Sequence, residues 1–152
     1  MDTELNQQTI TTVPLFTLKG QSHWAKCVKC YDADTIHIII KFHGEFVRFR
    51  CRLAGVDTAE IRSVDHEEKQ HAIAARDWVR DAILGGIVLV RCGDFDKYGR
   101  LLIDVHVPEG EQGGGEPIDR CYHLNTRLVK LGYAYTYTGG SRRAFAEWRI
   151  PR

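Results

Sequence analysis

Residues 47–53 alternate without a break. Val47, Phe49, Cys51 and Leu53 are apolar, and Arg48, Arg50 and Arg52 between them are cationic. A helix would scatter these side chains around its circumference. A strand sorts them onto two faces, one fit for a core and one carrying three guanidinium groups. The segment is therefore a half-buried strand, and the fold must be a sheet with one face outward at this point. That outward face reads either as an ordinary solvated surface or as a wall that meets phosphate.

The rest of the chain supplies similar short pieces. Cys27–Tyr31 and Thr35–Phe42 read as strands, the second with Ile36, Ile38 and Ile40 on one side and Ile39 adding apolar character to the other. His43-Gly44 is a turn into the arginine-bearing strand. Ile87–Cys92 and Leu101–Val107 are two further strands. Glu67–Leu84 reads as an amphipathic helix: Ala72, Ala75, Val79 and Ala82, helped by Trp78 and Ile83, oppose Arg76, Asp77, Arg80 and Asp81. Gly85-Gly86 stops it. A second helix spans Leu124–Leu131, Tyr133, Tyr135 and Tyr137 alternate along an extended segment, and Arg142–Trp148 reads as a last short helix. Glu109–Glu116 is a Gly-rich, acidic stretch expected to be a mobile loop. Five short strands with a helix inserted after the third indicate a mainly β protein with helices (α+β), a small OB-type barrel carrying two to three helices.

At 152 residues the chain fits one domain with a proper core. Residues 1–20 are polar and aperiodic and read as a flexible arm or an added strand, with the barrel domain over 21–152. Twenty-one Lys and Arg face twenty Asp and Glu, which excludes nucleic-acid binding by bulk charge and leaves room for a local basic patch. The five cysteines are odd in number and lie in strand-like settings, as expected of free, mostly buried thiols in a reducing compartment. Cys27 and Cys30 stand three apart, so on a regular strand they face opposite ways; the pair reads as structural. No secretory leader or membrane-length apolar run is seen, which points to an intracellular protein.

Polar clusters stand at the strand ends. Asp32-Ala33-Asp34-Thr35 precedes one strand; Asp32 reads as a turn residue and Asp34 as the better ligand. Asp57 and Glu60 follow the apolar run ending at Val56. An oxygen-only donor set suits a hard cation, calcium or magnesium, rather than zinc. Asp96-Lys97-Tyr98-Gly99-Arg100 is either a polar hairpin loop or a loop that aims Arg100 at phosphate.

Taken in order, Asp32–Thr35, Arg52–Glu60, Asp96–Arg100 and Leu124–Ala134 resemble the motifs of the staphylococcal nuclease (thermonuclease) family, over roughly Trp24 to Trp148. The resemblance implies an OB-fold and a calcium-dependent nuclease that hydrolyses phosphodiester bonds of DNA and RNA with low sequence specificity. It implies Asp34, Asp57 and the Thr58 carbonyl as calcium ligands, with magnesium the lesser candidate. Glu60 is then the residue that positions or deprotonates the attacking water, and Arg52 and Arg100 are the phosphate clamps. Lys97 and Tyr98 match positions that contact a terminal phosphate. Tyr135 and Tyr137 are similar to tyrosines of the base and phosphate pocket, at a shorter spacing. The expected partners are DNA and RNA, single strands preferred, with no membrane and no obligate protein partner; the chain reads as a monomer. The rival reading is a non-catalytic nucleic-acid-binding or protein-interaction module. Ala33 stands where the family usually has Gly, and is expected to strain its turn. Ala59 stands where the family usually has Pro, and is expected to loosen the loop that presents Glu60.

Overall fold

A computed structural model describes residues 2–109 and 117–149. In chain order the elements are a single-turn helix α1 (Thr3–Asn6), strands β1 (Ser22–Asp32), β2 (Thr35–Phe42), β3 (Glu45–Leu53) and β4 (Val56–Thr58), and helix α2 (His66–Ile83). Strands β5 (Ile87–Phe95) and β6 (Leu101–Pro108) follow, then a 3₁₀ turn over Pro117–Arg120. The chain ends with strand β7 (Cys121–His123), helix α3 (Leu124–Lys130), strand β8 (Ala134–Thr136) and the single turn α4 (Phe145–Trp148). Apart from Glu109, the expected loop at Glu109–Glu116 lies outside the described residues.

Five strands close the barrel. Neighbours in the order β3-β2-β1-β5-β6 are antiparallel, and β6 returns to β3 through parallel pairs Cys51↔Leu101, Arg52↔Leu102 and Leu53↔Ile103. Closure leaves these strands no long free edge, which removes the usual route to edge-to-edge aggregation. The inward set is the one that alternation selects: Ile36, Ile38 and Ile40 from β2, Cys51 and Leu53 from β3, and Leu101, Ile103 and Val105 from β6 are all buried. Arg48 and Arg50 face outward. The β2–β3 hairpin is a two-residue turn in which both His43 (φ 49°) and Gly44 (φ 81°) are left-handed, the twist that lets adjacent strands run on without splaying.

Helix α2 starts where the Asp65 side chain accepts from the Glu67 and Glu68 N–H groups. It buries Ala72, Ala75, Val79 and Ile83 and stops before Gly85, whose φ of 79° a side chain would resist. No described helix is long and apolar enough to cross a membrane.

The structure changes three expectations. Cys27 and Cys30 face the same way, their sulfurs 3.6 Å apart in the core. Opposite β2, Cys27 pairs with Ile38 and Lys29 with His37, so Val28 is an extra residue that resets the alternation. The Cys30 thiol is pushed up by its bond to Cys27 and by burial. Second, Ala33 carries no strain: among the described residues His43 is the one non-glycine with positive φ. Third, the core reaches back into the presumed arm, for Leu18 is fully buried and Phe16 stacks edge-on against Phe42.

Candidate active site

One cleft of about 510 Å³ opens beside the β1–β2 turn. Its walls come from separate stretches: Asp34 from that turn, Arg52 from β3, Asp57 and Thr58 from β4, Glu60 from the loop before α2, and Asp96–Arg100 from the β5–β6 connection. Tyr137 completes the wall after β8. Nine of the ten residues singled out in the sequence line it. The tenth, Tyr135, does not: it is buried behind Asp57, and its hydroxyl donates to Asp57 Oδ2 at 2.7 Å. Its role is to hold the carboxylate, and burial together with the Asp57 charge pushes its phenol up to about 12.

The turn between β1 and β2 is organised as its sequence suggests. Asp32 Oδ1 accepts from the Asp34 N–H, a side-chain turn that leaves the Asp34 carboxylate at the head of β2. Asp34 is buried, accepts from Thr35 Oγ1 at 3.1 Å, and has Arg52 Nη2 3.9 Å from Oδ2. Burial, with Asp32 beside it, raises its pKa well above the carboxylate range despite Arg52. Asp57 is also buried, and burial alone would raise it. The Tyr135 hydroxyl and Arg142 more than offset that cost and hold it below the ordinary value.

Arg52 donates from Nη2 to Asp57 Oδ1 at 3.2 Å and to the Val56 carbonyl, and its guanidinium lies 5.4 Å from the Tyr137 ring centroid. Arg100 is set by its own loop. Asp96 accepts from the Tyr98 and Arg100 N–H groups and from Arg100 Nε, the last at 2.8 Å. Both readings of this loop therefore hold together: it is a polar turn with Gly99 at φ 78°, and it fixes Arg100 at the cleft.

The loop presenting Glu60 is not loose in the absence of a proline. Ala59 is buried with Ala72 and Phe145, the Glu60 N–H donates to Glu68 Oε1, and Ser63 Oγ donates to Glu68 Oε2 at 2.7 Å. Asn125 works at a distance from the cleft. Buried and fully bonded, it accepts from the Val105 N–H and donates to the Ala54 and Ile103 carbonyls, tying β6 to the turn that leads into Asp57.

Nothing in the residue pattern marks Arg142 as part of the site. The expected helix over Arg142–Trp148 begins only at Phe145, so Arg142 lies in irregular chain and reaches into the cleft. Its Nε donates to Asp57 Oδ2 at 2.6 Å, Nη2 donates to Asp57 Oδ1 and to the Thr58 carbonyl, and Nη1 pairs with Glu60. Phe145 and Trp148, packed on Ala59, Ala72 and Ile61, pin the segment that carries it.

The family model described as staphylococcal nuclease homologue matches residues 50–148. The chain belongs to the staphylococcal nuclease family. The stretch matched to the SNase family holds Arg52, Asp57, Glu60, the Asp96–Arg100 loop and Arg142; Asp34 precedes it and joins the site through the barrel. No curated protein matches the chain. Membership in the SNase family places it among nucleases and nucleic-acid-binding modules.

Proposed function

We propose that this SNase-family chain is a calcium-dependent nuclease that hydrolyses phosphodiester bonds of DNA and RNA, single strands preferred, with low sequence specificity. One observation carries the reading: Arg52, Arg100, Asp34, Asp57 and Glu60, from separate elements, line a single cleft. The donor chemistry supports a hard cation. Both Asp57 oxygens, the Thr58 carbonyl and Glu60 already converge on one positive group, the Arg142 guanidinium. Asp34, Asp57 and the Thr58 carbonyl would hold the ion, which when bound supplies charge at a phosphate oxygen and an acidified water. Arg142 occupies the Asp57 and Thr58 oxygens, so an ion held there would have to displace it.

The chain's own groups would do the rest. Glu60 would orient the water and accept its proton as the new P–O bond forms, while the P–O bond to the leaving sugar oxygen breaks and that oxygen takes a proton from solvent. Arg52 and Arg100 donate to the non-bridging oxygens, where charge gathers in the transition state and a planar fork fits better than a lysine. Tyr98 and Tyr137 offer ring faces that accept any base, and Lys97 adds a cation at the rim.

The second reading, a module that binds nucleic acid without cutting it, is favoured by the closed Arg142 network. Digestion of single-stranded DNA and of RNA with calcium, with magnesium and with chelator separates the two. The expected result is cleavage with calcium, abolished by chelator, and an Arg100→Ala protein with unchanged circular dichroism but kcat lower by about 10²–10³. Cleavage that survives chelator overturns the metal assignment. Binding without cleavage in any metal overturns the enzyme.

A further inference from the structure

We propose that Cys27 and Cys30 form a redox-active dithiol, an oxidation site that hydrogen peroxide converts to an intrachain disulfide. The inference is independent of the nuclease reading. A regular strand would turn one of the two inward and the other outward. Here the extra residue at Val28 turns both inward, and the ladder slips again between Cys30 and Asp32. Both side chains are buried thiols, and their sulfurs stand 3.6 Å apart. That is contact without a bond, since a disulfide needs about 2.05 Å.

The backbone of both residues is tied to α2 and the turn after it. The Cys27 carbonyl accepts from the Gly85 N–H at 2.8 Å, and the Cys27 N–H donates to the Gly86 carbonyl at 3.1 Å. The Cys30 carbonyl accepts from Arg80 Nε at 3.2 Å and from Arg80 Nη2 at 3.0 Å. Side-chain rotation is then the motion that closes the gap. The barrel also holds an internal comparison. Cys51 and Cys92 are buried too, and burial pushes each thiol up, so they serve as small apolar residues. Cys27 differs: the hydrogen bond from Cys30 holds its thiol below the ordinary value despite burial. The thiolate is the attacking form, which makes Cys27 the nucleophile and Cys30 the thiol that resolves it.

Burial selects the oxidant. A bulky disulfide has no approach to these sulfurs, whereas hydrogen peroxide is small and uncharged. The Cys27 sulfur attacks one peroxide oxygen, the O–O bond breaks, and the departing hydroxide takes up the proton Cys27 gave up and leaves as water. Cys27 is then a sulfenic acid. Cys30 attacks its sulfur, the S–S bond forms, the S–O bond breaks, and the hydroxide leaves as water with the Cys30 proton. Two thiols and one peroxide give one disulfide and two waters.

The test is intact-mass spectrometry and tryptic mapping of the folded full chain after peroxide, with remaining thiols alkylated before digestion. Lys29 lies between the two cysteines, so trypsin separates residues 27–29 from 30–41 unless a disulfide joins them. The treated chain should lose two hydrogen atoms, yield those two peptides joined, and return to its starting mass in dithiothreitol. A Cys30→Ala variant should instead gain oxygen on Cys27, because no second thiol resolves the sulfenic acid. The same treatment in urea should scatter links among all five thiols. A folded chain that gives the scattered mixture overturns the site. So does oxidation of Cys51, Cys92 or Cys121 while Cys27 and Cys30 stay reduced, or a gain of oxygen on the parent that dithiothreitol does not reverse. Mapping of the parent decides the question if the variant does not fold.

Discussion

Arg142 and Asp96 show how much a single side chain decides here. Arg142 spans Asp57, Thr58 and Glu60, and the Asp57 and Thr58 oxygens are ones the proposed ion would take, so under that reading the guanidinium and the ion compete. Replacing Arg142 with Gln should tighten calcium binding on the order of tenfold, equal to about 1.4 kcal/mol, as read by titration calorimetry. Unchanged or weaker affinity would show that Arg142 supports the ion instead. Asp96 gathers its loop with three bonds. Burial alone would raise its pKa, but the Arg100 and Tyr98 N–H groups and the Arg100 side chain hold it below the carboxylate range. A folded value below the unfolded one, about 3.9, gives stability that is present above that pH and lost as pH falls through the folded value. Asp96→Asn should therefore cost on the order of 1–2 kcal/mol in urea unfolding at pH 7. The difference should shrink as the pH falls below about 3.9. Neither role shows in the sequence to the same degree. Asp96 sits in a compact motif with its partners two to four residues away, whereas Arg142 meets Asp57 across 85 residues from a stretch without periodicity.

At the scale of elements, legibility followed length and period. The five barrel strands are legible from apolar or alternating runs, β1 only over Cys27–Tyr31 of its full Ser22–Asp32 length, and α2 through its apolar stripe. Strands β4 and β7 have three residues each, too few for a period to register; β8, equally short, shows only through the alternating Tyr133, Tyr135 and Tyr137, and its pairing with β4 is what sets Asp57 beside Tyr135. The Val28 bulge is invisible for a related reason, since an extra residue is defined only against the partner strand. Leu18 shows what burial adds to the pattern. Leu18 follows Val13, Leu15 and Phe16 in a short apolar stretch without sustained period, and only the folded barrel shows that it alone of the four is fully buried. Leu18→Ala should cost about 2–5 kcal/mol, seen as a lower melting temperature. Removing residues 1–14 should leave stability nearly unchanged, and removing 1–20 should lower it as the leucine does. A 1–20 deletion that melts with the parent would show that the core closes without Leu18.

For the whole molecule the parallel seam between β3 and β6 has a consequence for how the chain comes into being. Cys51 meets Leu101 across fifty residues, and until that pairing forms the barrel is an open sheet with two raw edges. A chain emerging from the ribosome must therefore wait, with β1, β2, β3, α2 and β5 already outside, for the strand that begins at Leu101. A fragment ending at residue 100 should show no cooperative urea transition, and the full chain should refold in milliseconds to seconds, as barrels rich in distant contacts do. During that wait the apolar face of the growing sheet is bare. The interval between synthesis of Leu53 and of Leu101 is when the nascent protein most needs a chaperone's shelter.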